Sequence, residues 1–252
     1  MTSVYSIFFH NYYGRLAYWL DFFSKNTTSP STLYYNIVDE SIYNQKILQT
    51  DLNTVSNGEA NKNAALNNII YRHSSNKGKD IGGKMVLIDS YLKLKSPTPY
   101  GLFLHDKKSL YKANNIIWAN NLLKIAEANF SKRVFKIFND DPQIGIIAGN
   151  GSLKNDYDFN DQSFTGTNKV LLPQLQEKFN IYPSSYNYIA GTMFWFRMKP
   201  VEDFFLLNDP LLIRAMLEDG NVSDEISESN THCWERLLSW IITSQGYKIN
   251  TI

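Results

Sequence analysis

The chain has 252 residues, long for one average domain and short for two, and enough to bury a large core without staples. Its 43% hydrophobic and 19% charged fractions exclude general disorder. With 25 Lys and Arg against 24 Asp and Glu, the net charge of +1 excludes a broad basic face built for duplex nucleic acid, though not a local basic pocket.

In chain order, Val4–Phe9 is a short β-branched and aromatic run that predicts a strand. Residues 13–24 carry Leu16, Tyr18, Trp19, Leu20, Phe22 and Phe23 at helical spacing. TLYYNIV (Thr32–Val38) predicts a second strand, Ser41–Leu52 a helix and NNIIY (Asn67–Tyr71) a third strand. A helix follows over Ile81–Leu94, then a buried strand over Tyr100–His105. Helices are expected over Asn115–Ala128 and Phe130–Phe138, and a wholly apolar strand over Ile144–Gly149. The polar stretch Asn150–Thr167 reads as a long loop with the character of a lid. A helix over Lys169–Phe179, a strand over Tyr188–Arg197 and helices over Pro200–Leu207 and Pro210–Glu218 come next. An acidic, Ser-rich loop over Gly220–Asn230 leads into a closing helix, Thr231–Ser244. Strands alternating with helices of about 10–15 residues predict an α/β, doubly wound, mostly parallel sheet flanked by helices. Ligands of such sheets bind beyond the carboxyl ends of the strands.

Several chemistries find no motif. There is no GxxxxGK[ST], no H-E-x-x-H and no G-x-S-x-G, and GIIAGNG (Gly145–Gly151) does not match G-x-G-x-x-G. A single cysteine, Cys233, rules out an intrachain disulfide framework and a cysteine zinc cluster. The first residues have neither a basic n-region nor a small-residue cleavage site, and no run of about 18 apolar residues occurs. The expectation is a cytoplasmic soluble protein, compatible with peripheral attachment to a membrane.

Four stretches can carry chemistry. Asn76-Lys77-Gly78-Lys79-Asp80 follows a strand and opens a helix. Gly78 permits a tight turn, the helix N-terminus can face an anion, and Asp80 can accept from a sugar diol. The plain alternative is a turn with Asp80 as N-cap. In Leu102-Phe103-Leu104-His105-Asp106-Lys107-Lys108 an apolar run breaks into titratable residues at the ligand rim of the sheet. There Lys107 and Lys108 can neutralise a diphosphate, His105 can donate to a phosphate or hydroxyl, and Asp106 can bind a metal or a sugar hydroxyl. The alternative is a solvated strand-to-loop junction. Ala190-Gly191-Thr192 admits close approach of a ligand or backbone, whereas Phe194 and Trp195 read as core. On the closing helix His232 and Glu235 lie three apart, off the centre of the apolar face of Trp234, Leu237, Leu238, Ile241 and Ile242. They face water or a cleft, with Asn230 the expected N-cap.

These pieces together resemble the rhamnan synthesis protein F family of bacterial polysaccharide glycosyltransferases. The matching segments are His10-Asn11-Tyr12-Tyr13, NKGKDIG (Asn76–Gly82), FLHDKKS (Phe103–Ser109), Trp118, DPQIGIIAG (Asp141–Gly149), AGTMFWFR (Ala190–Arg197) and THCWERL (Thr231–Leu237). They span almost the whole chain in the family's order. The resemblance implies a GT-A-like fold over residues 1–252, with a nucleotide-sugar half at about 1–150 and an acceptor half at about 151–252. It implies transfer of rhamnose or a similar hexose from a nucleotide-diphosphate donor to a surface polysaccharide or lipid-linked glycan. By this resemblance Asn76, Gly78, Asp80, His105, Lys107, Lys108, Gly191 and Thr192 bind substrate. Glu235 is the catalytic base with Asp106 second, and His232 orients acceptor or leaving group. GT-A enzymes usually keep a D-x-D motif at the strand end; this chain has none, and Asp106 stands where the family often has Thr. Two lysines there would take the place of a divalent cation, Mg or Mn, for which Asp106 is the one candidate ligand. The rival expectation is a non-catalytic nucleotide-sugar or carbohydrate-binding module; a nucleotidyltransferase is disfavoured by the same motif set.

Overall fold

The structure is a computed structural model and describes residues 3–39, 65–106, 122–220 and 228–252. The helix expected over Ser41–Leu52, residues Lys107, Lys108 and Trp118, the first half of the helix expected over Asn115–Ala128 and most of the acidic loop lie outside the described residues.

Seven strands form the central sheet: β1 (Tyr5–Asn11), β2 (Ser31–Val38), β3 (Leu66–Ser74), β4 (Tyr100–His105), β5 (Ile144–Ala148), β10 (Phe194–Arg197) and β11 (Lys248–Thr251), in the order β11-β5-β10-β4-β1-β2-β3. Neighbours pair in parallel except at β10, which runs antiparallel to both β4 and β5. The chain steps from β1 outward to β2 and β3, then returns to the other side of β1 as β4. The connection therefore reverses between β1 and β4, the place where an open parallel sheet leaves a crevice.

Alternation along the strands fills two cores. Phe8, Tyr34, Phe103, Phe194 and Phe196 face a layer containing α2 (Lys79–Leu94), α5 (Met198–Leu207) and α7 (Asn230–Thr243). Ile7, Phe9, Tyr35, Leu102, Leu104 and Trp195 face α1 (Leu16–Asn26) and α3 (Ala128–Asp140). Strands apolar on both faces are what a sheet covered on both sides requires. The fold is thus α/β with a largely parallel, doubly wound sheet. No helix among the described residues is long and apolar enough to cross a membrane.

Three expectations are corrected. The strand expected over Tyr188–Arg197 is two strands, β9 (Asn187–Ile189) and β10, because Gly191 at φ 80° and Thr192 at φ 47° turn the backbone between them. The stretch Asn150–Thr167 contains β6 (Leu153–Asn155), β7 (Tyr157–Asp158) and β8 (Ser163–Phe164); β6 pairs with β9 and β7 with β8. The strand β11 was not expected. It pairs in parallel with β5 at the sheet edge. The remaining described helices, α4 (Leu171–Phe179), α6 (Pro210–Ala215) and the 3-10 turn Lys124–Ala126, fall close to expected positions.

Candidate functional site

A cleft of about 360 Å3 opens at the carboxyl ends of β1 and β4, at the reversal of strand order. That volume suits a small ligand, for which pockets run from about 300 to 1,000 Å3. The end of β1 and the following turn contribute His10, Tyr12 and Tyr13, and the end of β4 contributes His105 and Asp106. The turn before α2 brings Asn76, and the first turn of α2 brings Lys79 and Asp80. Gly191 and Thr192 enter from the turn before β10, and His232 and Glu235 from α7. Segments far apart in sequence thus meet because α2, α7 and the β9–β10 turn pack over one end of one sheet.

Asp80 lies in the first turn of α2, whose N-cap is Gly78 with no side-chain cap. Asp80 is therefore not the N-cap. Its Oδ2 instead accepts from Thr192 Oγ1 at 2.6 Å and Lys84 Nζ at 2.6 Å, and lies 3.4 Å from His105 Nδ1. Burial alone would raise the Asp80 carboxyl; the Lys84 ammonium and the hydrogen bonds from Lys84 and Thr192 more than reverse this and hold it well below the usual range. Lys84, one turn further along α2, is fully buried. The close approach of α2 to β1 depends on Gly83, where a Cβ would sit 1.8 Å from His10 Nδ1. His10 is buried, which lowers it to about 4, helped by Lys84 and Arg214 against Asp80. It is neutral near pH 7. Its Nδ1 lies 3.0 Å from the Asn36 amide nitrogen, a donor, so the ring proton sits on Nε2.

Asp106 is built into the frame of the cleft. Its two oxygens accept the backbone N–H of Tyr12 at 2.8 Å and of Tyr13 at 2.6 Å, tying the end of β4 to the turn after β1. Burial pushes this carboxyl up to about 7, against the pull of those amides. The rings of Tyr12 and Tyr13 meet edge to face with centroids 5.0 Å apart.

On α7, Glu235 Oε1 accepts from Gly191 N at 2.6 Å and Oε2 from Arg236 Nη1 at 3.0 Å. Arg236 also grips Asp156 Oδ2 through Nε at 2.9 Å and Nη2 at 2.6 Å. The helix is capped by Ser229, not Asn230, with Ser229 Oγ accepting from His232 N at 3.4 Å. His232 and Glu235 both face the cleft, one of the two placements their spacing allowed.

Of the expected site residues, the structure brings Asn76, Asp80, His105, Asp106, Gly191, Thr192, His232 and Glu235 into one cleft. Gly78 is not among the residues that line it. Its N–H donates to Glu218 O at 2.7 Å, and its φ of 73° with Leu217 against the Cα makes it a turn residue. Lys107 and Lys108 lie outside the described residues. Among the described residues no group of three or more His, Cys, Asp and Glu is placed to hold a metal ion. Asp106 has an amide on each oxygen, a poor fit for the cation ligand the sequence suggested. The sequence reading missed Lys84, although its spacing four residues after Asp80 is the signature of a helical ion pair. It also gave no site role to Tyr12 and Tyr13. No protein-family model matches the chain, and none of the curated proteins compared with it does either.

Proposed function

We propose that this chain is a glycosyltransferase on a GT-A-like fold, moving rhamnose or a similar hexose from a nucleotide-diphosphate donor to a surface polysaccharide or lipid-linked glycan. The observation that carries the reading is the meeting of Asp80 and Glu235 with three histidines in one cleft at the reversal of the sheet. A sugar presents many hydroxyl donors, and carboxylate oxygens are strong acceptors for them.

In the reaction the acceptor oxygen attacks the anomeric carbon, the bond from that carbon to the diphosphate oxygen breaks, and its electron pair leaves on the phosphate. The acceptor proton goes to Glu235. Each carboxylate oxygen accepts more than one hydrogen bond, so Glu235 can meet a hydroxyl while keeping Gly191 and Arg236. Negative charge on the leaving diphosphate calls for fixed donors. Lys79 and the imidazoles of His105 and His232 are candidates within the cleft, with Lys107 and Lys108 following His105 in sequence. Asp80 and Asn76 take donor hydroxyls.

A second reading, a binding module without catalysis, is favoured by the same engagement of Glu235 with Gly191 and Arg236, which suits a structural carboxylate. One experiment separates the two. Purified chain is heated with dTDP-, UDP- and GDP-sugars; the donor that binds the folded state raises Tm by mass action. Glu235→Gln should keep that shift and lose turnover by about 100-fold or more, the usual weight of a general base. Transfer at the wild-type rate by the variant removes Glu235 as base. Binding without any transfer by the wild type leaves the module. No shift with any donor removes the nucleotide-sugar reading.

A further inference from the structure

Lys84 does not line the cleft, yet its ammonium is tied to three groups that do. Its side chain is fully buried. A buried ammonium loses several kcal/mol of hydration, and an apolar side chain of similar volume is often as stable or more so. Here its three donors meet three acceptors on three elements: Asp80 Oδ2 at 2.6 Å on α2, Thr192 Oγ1 at 2.7 Å before β10, and His105 Nδ1 at 3.3 Å on β4. Asp80 Oδ2 is thereby occupied, whereas Oδ1 meets no donor among the described residues and Asp80 borders the cleft.

We propose that Lys84 is a positioning residue: it clamps the Asp80 carboxylate by Oδ2, leaving Oδ1 for a ligand hydroxyl, and holds His105 with its proton on Nε2. A diol of a ribose or a sugar then meets an acceptor of fixed charge. The identity of the ligand rests on the function proposed above; the effect of Lys84 on Asp80 and His105 does not. The charged and titratable groups that bear on this cluster are His105 on β4, His10 on β1, Glu235 on α7, acting on Lys84, and Arg214 on α6, acting on His10.

The test is titration of the Asp80 side-chain carboxyl by 13C NMR, its signal assigned with Asp80→Asn, together with 15N shifts of His105. In the wild type Asp80 should stay ionised well below the ordinary aspartate midpoint of about 3.9. In Lys84→Met the midpoint should rise by about 1–3 pH units, the usual effect of one close opposite charge, and the His105 proton should redistribute toward Nδ1. Lys84→Arg, which keeps the charge, should restore much of both. A purely structural lysine would lower Tm in Lys84→Met and leave both signals in place, which overturns the proposal. If Lys84→Met does not fold, the wild type and Lys84→Arg decide: an ordinary Asp80 midpoint in either overturns it. Calorimetry with the donor identified by thermal shift adds the ligand arm. The affinity of Lys84→Met relative to wild type should fall toward the acid end of a pH series, as Asp80 protonates in the variant but not in the wild type. Absence of donor binding by the wild type counts against the function, while the Asp80 titration still stands or falls alone.

Discussion

Thr192 holds a β-branched side chain at φ 47°, a backbone region where such residues are rare and where the strain is on the order of 1–3 kcal/mol. Its hydroxyl explains why it stays there: it accepts from Lys84 and donates to Asp80, joining a buried charge to one at the cleft. Thr192→Ser keeps the hydroxyl and removes the branch, so its urea midpoint should match or slightly exceed the wild type. Thr192→Val keeps shape and strain but leaves the buried Lys84 and the half-buried Asp80 each short of a partner, so it should lose about 1–3 kcal/mol. Equal midpoints for Ser and Val would show that the hydroxyl contributes nothing. At this scale the sequence discloses identities better than geometry. The acidic and histidine residues of the cleft stand out as breaks in apolar runs. Nothing local announces a threonine in the left-handed region, because contacts with α2 hold it there.

The start of α7 shows the limit of local rules for elements. Standard N-terminal signals point to Asn230, whereas the helix is capped by Ser229 and by a carboxylate from another segment. Glu218 Oε1 accepts from Asn230 N at 2.7 Å, and Oε2 from Thr231 N at 2.9 Å, Thr231 Oγ1 at 2.7 Å and Ser229 Oγ at 3.1 Å. A negative charge at a helix N-terminus is also favoured by the helix dipole. Burial would raise the Glu218 carboxyl, but the Thr231 hydroxyl and the amides of Thr231 and Asn230 bring it from 4.5 down to about 2. A group depressed in the folded state contributes stability that is complete above its unfolded value and disappears as pH falls through its folded value. Wild type should therefore exceed Glu218→Gln by about 1–2 kcal/mol above pH 5, and the difference should shrink toward zero near pH 2. Thermal unfolding of both proteins from pH 2 to 7 reads this directly, and a gap that does not change with pH rules it out. Strong single-period segments such as Tyr100–His105 are found at their expected bounds. Tyr188–Arg197 is not, because its continuous apolar pattern conceals the turn that sends β9 to one sheet and β10 to another.

For the whole molecule, alternation of strands and helices was enough to foresee a doubly wound sheet, but strand order was beyond reach because β10 and β11 pair with partners distant in sequence. That order bears on the division into a nucleotide half and an acceptor half near residue 150. The second half supplies β10, which lies between β4 and β5 and hydrogen-bonds to both. It also supplies Trp195, whose ring packs 4.9 Å from Tyr5 and 5.4 Å from Phe135, with Nε1 donating to Ile125 O at 2.8 Å. A fragment of residues 1–150 would lose the strand between β4 and β5 and expose two apolar edges, a route to aggregation rather than to a smaller fold. Such a fragment should show no sigmoidal urea transition. In the full chain, far-UV circular dichroism and tryptophan fluorescence should unfold together, since Trp19 and Trp195 report one face of the sheet and Trp234 and Trp240 the other. A fragment that folds cooperatively, or two separated transitions in the full chain, would mean that the halves are independent units. The cleft would then lie between bodies free to move, because His10 and Asp80 come from the first half and Thr192 and Glu235 from the second.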